Sequence, residues 1–183
     1  MTDNISETQD PINKYTGLQI ETKFTGGKHP YDSIEWVRRD AVITNGKSEI
    51  VFEQKNIEAP AGWSQLAVNI VASKYFFGKL ETSQREFSVK QLIDRVCDSI
   101  TEFGLEQSYF DKINANNFNL ELKYILVNQL GSPNSPQFFN GGIFLKYGIE
   151  RKATFPNYYW DTKALTIRQC DDEYSRPQLA ACF

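Results

Sequence analysis

Between Ser88 and Gly104 the apolar residues Val89, Leu92, Ile93, Val96, Cys97, Ile100 and Phe103 recur at spacings of three and four. That period places them along one face of an α-helix, and a chain carrying such a stripe must bury it against a second element. Ser88 followed by Gln91 has capping-box spacing, which starts the helix, and Gly104 is read as its stop. Cys97 falls on the apolar face and is read as a core residue, because a free cysteine behaves as a small hydrophobe.

The flanking segments supply the packing partners. Trp63 to Phe77 is apolar over most of its surface (Trp63, Leu66, Ala67, Ile70, Val71, Tyr75), which predicts a buried helix stopped by Gly78. A third helix is expected over Asn114 to Leu130, with Phe118, Leu122, Ile125, Leu126 and Gln129 on one side. Upstream, Leu18 to Phe24 alternates weakly and suggests a short strand. The runs Ile34–Ile43 and Glu49–Glu53 flank Asn45-Gly46, a dipeptide suited to a type I′ turn, so a β-hairpin is predicted.

After Gly131 the pattern changes. Pro133, Pro136, Gly141 and Gly142 rule out a long helix. Phe138-Phe139 and Ile143-Phe144-Leu145 read as short extended pieces, and Tyr158–Trp160, Leu165–Ile167 and Leu179–Phe183 as further strands. The expected organisation is a disordered polar tail over 1–16, a mixed hairpin and helical unit over 17–130, and an aromatic-rich extended segment over 131–183. The fold class is α+β.

Composition narrows the function. The net charge of −3 lacks the basic excess of nucleic-acid binders, so no DNA partner is expected. No apolar run reaches the ~20 residues of a membrane helix, and the polar start has no signal-peptide core. The three cysteines, Cys97, Cys170 and Cys182, form no CxxC, so neither a disulfide framework nor a metal site is implied. A cytosolic location, where thiols stay reduced, follows as the expectation. His29, the single histidine, is read as a turn residue before Pro30, Cys170 as a loop thiol, and Arg38-Arg39 and Asp171–Glu173 as solvated charges.

Two segments carry a resemblance to a known family. Gln129-Leu130-Gly131-Ser132-Pro133-Asn134-Ser135-Pro136-Gln137-Phe138-Phe139-Asn140-Gly141-Gly142 resembles the first active-site segment of adenosylcobalamin-dependent (class II) ribonucleotide reductases, an Asn-Ser-Pro followed by aromatics and Asn. Tyr174-Ser175-Arg176-Pro177-Gln178-Leu179-Ala180-Ala181-Cys182-Phe183 resembles the next, in which Pro-Gln leads to a redox cysteine and Phe. His29–Ile43, Val51–Gln54 and Trp63–Phe76 are similar to the family's N-terminal region, in the same order. Gln137-Phe138 stands where Val-Trp is more usual, and Ala180 where Ser or His is frequent.

The resemblance implies that the helical unit leads into the opening strands of the reductase α/β barrel, left incomplete here. It implies that Cys182 is one of two thiols that reduce a ribose 2′-OH, and that the substrate phosphate is contacted by Ser135 and the backbone around Ala181-Cys182. A hydroxyl with nearby N–H groups suits an anion. Adenosylcobalamin would be bound mainly by segments absent here, and it would carry the radical initiation. The expected partners are the C-terminal remainder of the catalytic subunit, a ribonucleotide and a thiol reductant such as thioredoxin. On this reading the chain is a partial ribonucleoside-diphosphate reductase for deoxyribonucleotide synthesis, inactive alone. The alternatives are a non-catalytic module that binds or regulates an intact reductase, a diiron-dependent reductase subunit and, with least support, a small enzyme using Tyr158, Tyr159 or Cys170.

Overall fold

The computed structural model describes residues 17–148 and 158–169. The tail over 1–16, Cys170, Ala181, Cys182 and the strand expected at Leu179–Phe183 lie outside the described residues. The described architecture is α+β: a 3₁₀ turn (Pro30–Ser33), β1 (Trp36–Thr44), β2 (Ile50–Pro60), α1 (Gln65–Lys74), α2 (Val89–Glu106), α3 (Lys112–Val127), α4 (Ser135–Asn140), α5 (Ile143–Tyr147), β3 (Tyr158–Asp161) and β4 (Thr166–Gln169). β1 pairs with β2, and β3 with β4, in two separate antiparallel two-stranded sheets. No closed barrel is present among the described residues.

The core is the contact of three layers. Ala41, Ile57 and Ala59 of the first hairpin meet Val68 and Ala72 of α1, Val89, Leu92, Ile93 and Cys97 of α2, and Leu126 and Val127 of α3. The stripe on α2 therefore faces inward as its period requires, except at Phe103, which is exposed although Thr101 and Gly104 on either side of it are buried. Both halves of the capping box form at Ser88 and Gln91. Gly104 does not end the helix, which runs to Glu106; it is buried because the Phe110 ring packs where a Cβ would project.

Several local expectations give way to tertiary contacts. Residues 18–25 form a strap along α3 rather than a strand. Leu18 N–H donates to Tyr109 O at 2.7 Å, and three further amides go to side chains: Ile20 N–H to Asn114 Oδ1 at 2.7 Å, and Phe24 and Thr25 N–H to Glu121, both at 2.9 Å. The first hairpin closes through residues 45–49 instead of a two-residue turn. Asn45 Oδ1 accepts from Lys47 N (2.9 Å) and Glu49 N (3.1 Å), an Asx turn that moves the positive φ from Gly46 to Ser48. On α1 only one face is buried, Leu66 and Ile70 remaining exposed. The buried side of α3 includes Lys123, whose ammonium bridges Asp94 (2.9 Å) and Asp98 (2.8 Å) of α2. Burial works to depress that ammonium's pKa, and the two carboxylates outweigh it and hold it above the usual value.

The largest correction concerns residues 135–147. Phe138-Phe139 and Ile143–Leu145, expected as extended pieces and as the start of a barrel, lie in the short helices α4 and α5. Pro136 falls in the first turn, where its missing N–H costs nothing. Gly142, at φ 74°, turns the chain between the two helices. The strands expected at Tyr158–Trp160 and Leu165–Ile167 correspond to β3 and β4, and the two pair antiparallel with Trp160 opposite Ile167.

Candidate functional site

The Asn-Ser-Pro segment is held by a buried ion pair that sequence reasoning did not single out. Glu86 precedes α2 and Arg95 lies on its second turn; both side chains are fully buried, with Arg95 Nε 2.8 Å from Glu86 Oε1. Arg95 Nη1 donates to Gly141 O at 2.5 Å, and Nη2 to Phe138 O at 3.1 Å and Tyr75 O at 3.2 Å. One cation thus gathers the carbonyls at the C-terminal end of α4 and the carbonyl that follows α1. Glu86 is occupied on its other side. Its Oε2 accepts from Phe77 N at 2.7 Å, and its Oε1 from Tyr147 Oη of α5 at 2.7 Å. Burial, then the bond to Glu86, pushes the Tyr147 phenol well above its ordinary pKa.

A second arginine extends the clamp. Arg85 donates to the carbonyls of Ala72 (2.5 Å), Phe76 (2.7 Å) and Gly78 (2.9 Å), and its Nε to Gln54 Oε1 (2.9 Å). Gln54 in turn donates to Glu86 O at 2.8 Å. Among the described residues, no buried side-chain nitrogen or oxygen lacks a partner. Buried charge is tolerable here because each buried side-chain nitrogen and oxygen has at least one hydrogen-bond partner.

Ser135 is the first residue of α4 and is half-buried. Its Oγ lies 3.1 Å from the hydroxyl of Tyr75, whose ring packs against Phe138 and Phe139, each with centroids 5.2 Å away. Beside this pair lies an open, mostly apolar groove of about 410 Å³, lined by Trp63, Ile70, Val71, Tyr75, Leu126 and Phe138. A second apolar groove of about 450 Å³ separates α2 from α4 and α5, between Ile100, Phe103, Phe144 and Leu145.

The remaining sequence-selected residues are accounted for as follows. Cys97 is buried in the core, and burial raises its thiol pKa far above the usual range, so it is inert. His29 caps the 3₁₀ turn, its Nδ1 accepting from Tyr31 N at 3.3 Å. Arg39 is not simply solvated: it donates to Trp63 O and Ala61 O, both at 2.6 Å, and pins the start of α1 to β1. Among the described residues no group of three or more His, Cys, Asp or Glu side chains is placed to hold a metal, and no helix is long and apolar enough to cross a membrane. The signal missed in the sequence was Arg95 itself. A charge three residues after Leu92 falls beside the apolar stripe of α2 and, once buried, requires a partner.

An α+β unit that spends a buried arginine on fixing one aromatic segment is a scaffold for that segment. Comparison with known proteins identifies which scaffold. Residues 37–129 match the family model of the class II vitamin B12-dependent ribonucleotide reductases, and the chain belongs to that family. It is 40% identical over 171 residues to a vitamin B12-dependent ribonucleotide reductase of Rhodopirellula baltica, covering 91% of this chain and 16% of that protein. It is 48% identical over 132 residues to the one from Streptomyces avermitilis, covering 70% of this chain and 14% of the relative. The chain therefore spans about a sixth of the length of the curated relatives it matches.

The vitamin B12 on which those relatives depend is a corrinoid, larger than the drug-sized ligands that fill pockets of ~300–1,000 Å³. The described residues do not fit it. The grooves of about 410 and 450 Å³ are open and shallow in polar groups, and the single histidine is engaged as a cap.

Proposed function

We propose that this chain is the N-terminal part of the catalytic subunit of a class II ribonucleotide reductase, in which Ser135 contacts the substrate phosphate and Cys182 is one of the two reducing thiols. In the reaction the ribose 2′-C–OH becomes C–H, the oxygen leaves as water, and two thiols become a disulfide. One thiol from Cys182 supplies half of the reducing equivalents, and the second comes from the polypeptide that completes the barrel. By the same family resemblance, Ala181 and Cys182 are assigned to contact with that phosphate. A cobalamin cofactor, when bound by the whole enzyme, would supply the radical initiation.

The observation that carries this reading is the family match through the helical unit, combined with the clamp on the Asn-Ser-Pro segment. Substrate-contacting groups need rigid support, and the Arg95–Glu86 pair provides it to α4 from the buried side. The substrate is a ribonucleoside diphosphate on the primary reading, and a thiol reductant such as thioredoxin regenerates the cysteine pair.

The test is reconstitution. The chain is combined with the polypeptide that completes the barrel, adenosylcobalamin, a thiol reductant and, in parallel, ribonucleoside di- and triphosphates. Deoxyribonucleotide should form with the diphosphate and disappear in the Cys182→Ser variant. Absence of product, or turnover indifferent to that substitution, defeats the assignment.

A further inference from the structure

Tyr75 touches Ser135 from one side and the buried cation from the other. Its backbone carbonyl accepts from Arg95 Nη2 at 3.2 Å, while its hydroxyl lies 3.1 Å from Ser135 Oγ. Its N–H closes the last turn of α1 on Val71 O at 2.9 Å. The ring is wedged against Phe138 and Phe139, so the phenol has little freedom to swing away. Arg95 also holds Phe138 O and Gly141 O, at the far end of the short helix that Ser135 begins. Donor and acceptor of the Tyr75–Ser135 bond are therefore positioned by the same buried guanidinium.

The direction of that bond matters. Phosphate oxygens only accept, so a serine can serve them only if its proton is free to point outward. Either hydroxyl can donate, and a phenol O–H is in general a stronger donor than an alkyl O–H. When Tyr75 O–H donates to Ser135 Oγ, the serine proton is released for a second acceptor, and the two bonds polarise one another. Without the phenol, the serine side chain can rotate among its staggered wells, and its proton is free to bond back to nearby carbonyls.

We propose that Tyr75 is a positioning residue for substrate-phosphate recognition: its hydroxyl fixes the rotamer of Ser135 and turns the serine proton toward the phosphate. The proposal rests on the reading of Ser135 as a phosphate contact, and it adds a residue that the Asn-Ser-Pro segment does not contain. Tyr75→Phe removes a single oxygen and retains the ring packed against Phe138 and Phe139, so the fold is kept.

Two measurements separate the proposal from the reading beneath it. On the chain alone, side-chain scalar couplings of Ser135 report its χ1 distribution without any ligand. A single rotamer is expected in the parent chain and averaging among rotamers in Tyr75→Phe. An unchanged distribution overturns the positioning role, whatever Ser135 does. In the reconstituted enzyme, Tyr75→Phe should raise KM for the ribonucleotide about five- to tenfold with kcat nearly unchanged, the loss expected for one neutral hydrogen bond. In a Ser135→Ala background the same substitution should have no further effect. Additive losses in the double variant would mean that Tyr75 acts independently, and would overturn the proposal. Should Ser135→Ala leave KM unaltered while Tyr75→Phe still averages the rotamers, the phosphate reading fails and the proposal falls with it.

Discussion

Gly142 shows how little space the clamp leaves. It sits at φ 74°, and a Cβ added there would lie 2.1 Å from Arg95 O and 2.2 Å from Ser99 Oγ. Gly142→Ala meets both a backbone penalty and a clash with the Arg95 carbonyl of α2, a backbone atom that cannot retreat. It is expected to destabilise by about 2–4 kcal/mol in chemical denaturation. Gly148, at φ 64°, has open space around it, and alanine there should cost only about 1 kcal/mol. Equal losses at the two positions would mean that backbone conformation alone matters and that α4–α5 are not pressed against α2. The glycine pair was visible in the sequence as a breaker. Its role as a close-approach point was not, because the atoms it approaches lie some forty residues away in the chain.

Among the elements, the strap over residues 18–25 is held to α3 by one carboxylate above all. Glu121 accepts from Thr25 Oγ1 at 2.7 Å and from the amides of Phe24 and Thr25, while the Phe24 ring stacks on Tyr124 with centroids 5.4 Å apart. Partial desolvation works to raise the Glu121 carboxyl pKa, and these hydrogen bonds outweigh it, so the folded value lies below the usual 4.5. A depressed carboxyl pKa contributes stability that is present above the unfolded value and is lost as pH falls through the folded one. Amide exchange at Phe24 and Thr25 should therefore accelerate, beyond its intrinsic pH dependence, on acidification below about pH 4.5. In Glu121→Gln the exchange should already be faster at neutral pH, with that acid response flattened. A response identical in the two proteins would assign the attachment to the aromatic stack instead. Weak alternation at Leu18–Phe24 suggested a strand, since periodicity cannot tell whether amides will meet a sheet edge or side-chain acceptors.

For the molecule as a whole, the Arg95–Glu86 pair joins the end of α1, the start of α2, and both α4 and α5. Removing one partner leaves the other charge buried and unpaired. Arg95→Ala is expected to cost about 3–5 kcal/mol, measured by urea unfolding, and to loosen α4 and α5 before the rest. A loss under about 1 kcal/mol would show that water reaches Glu86 freely and that the clamp is not what orders the segment. Such a loss should be cooperative, because Tyr147, Tyr75 and Gln54 all bond to the same pair or its backbone.

The α+β class, the first hairpin, the α2 stripe with its capping box, the buried Cys97 and the family itself could all be read from residues in order along the chain. Each depends on short-range rules: a helical period, a cap three residues from its partner, strand-like runs on either side of a breaker, a motif. What only the tertiary structure decided was the conformation of residues 135–147 and the partnership of Tyr75, Arg95 and Glu86. Pro136, Gly141 and Gly142 permit either strands or short helices, and local propensity does not choose between them. The choice falls to a buried guanidinium whose unmet donors require carbonyls, and those carbonyls come from distant parts of the chain that only folding brings within 3.2 Å.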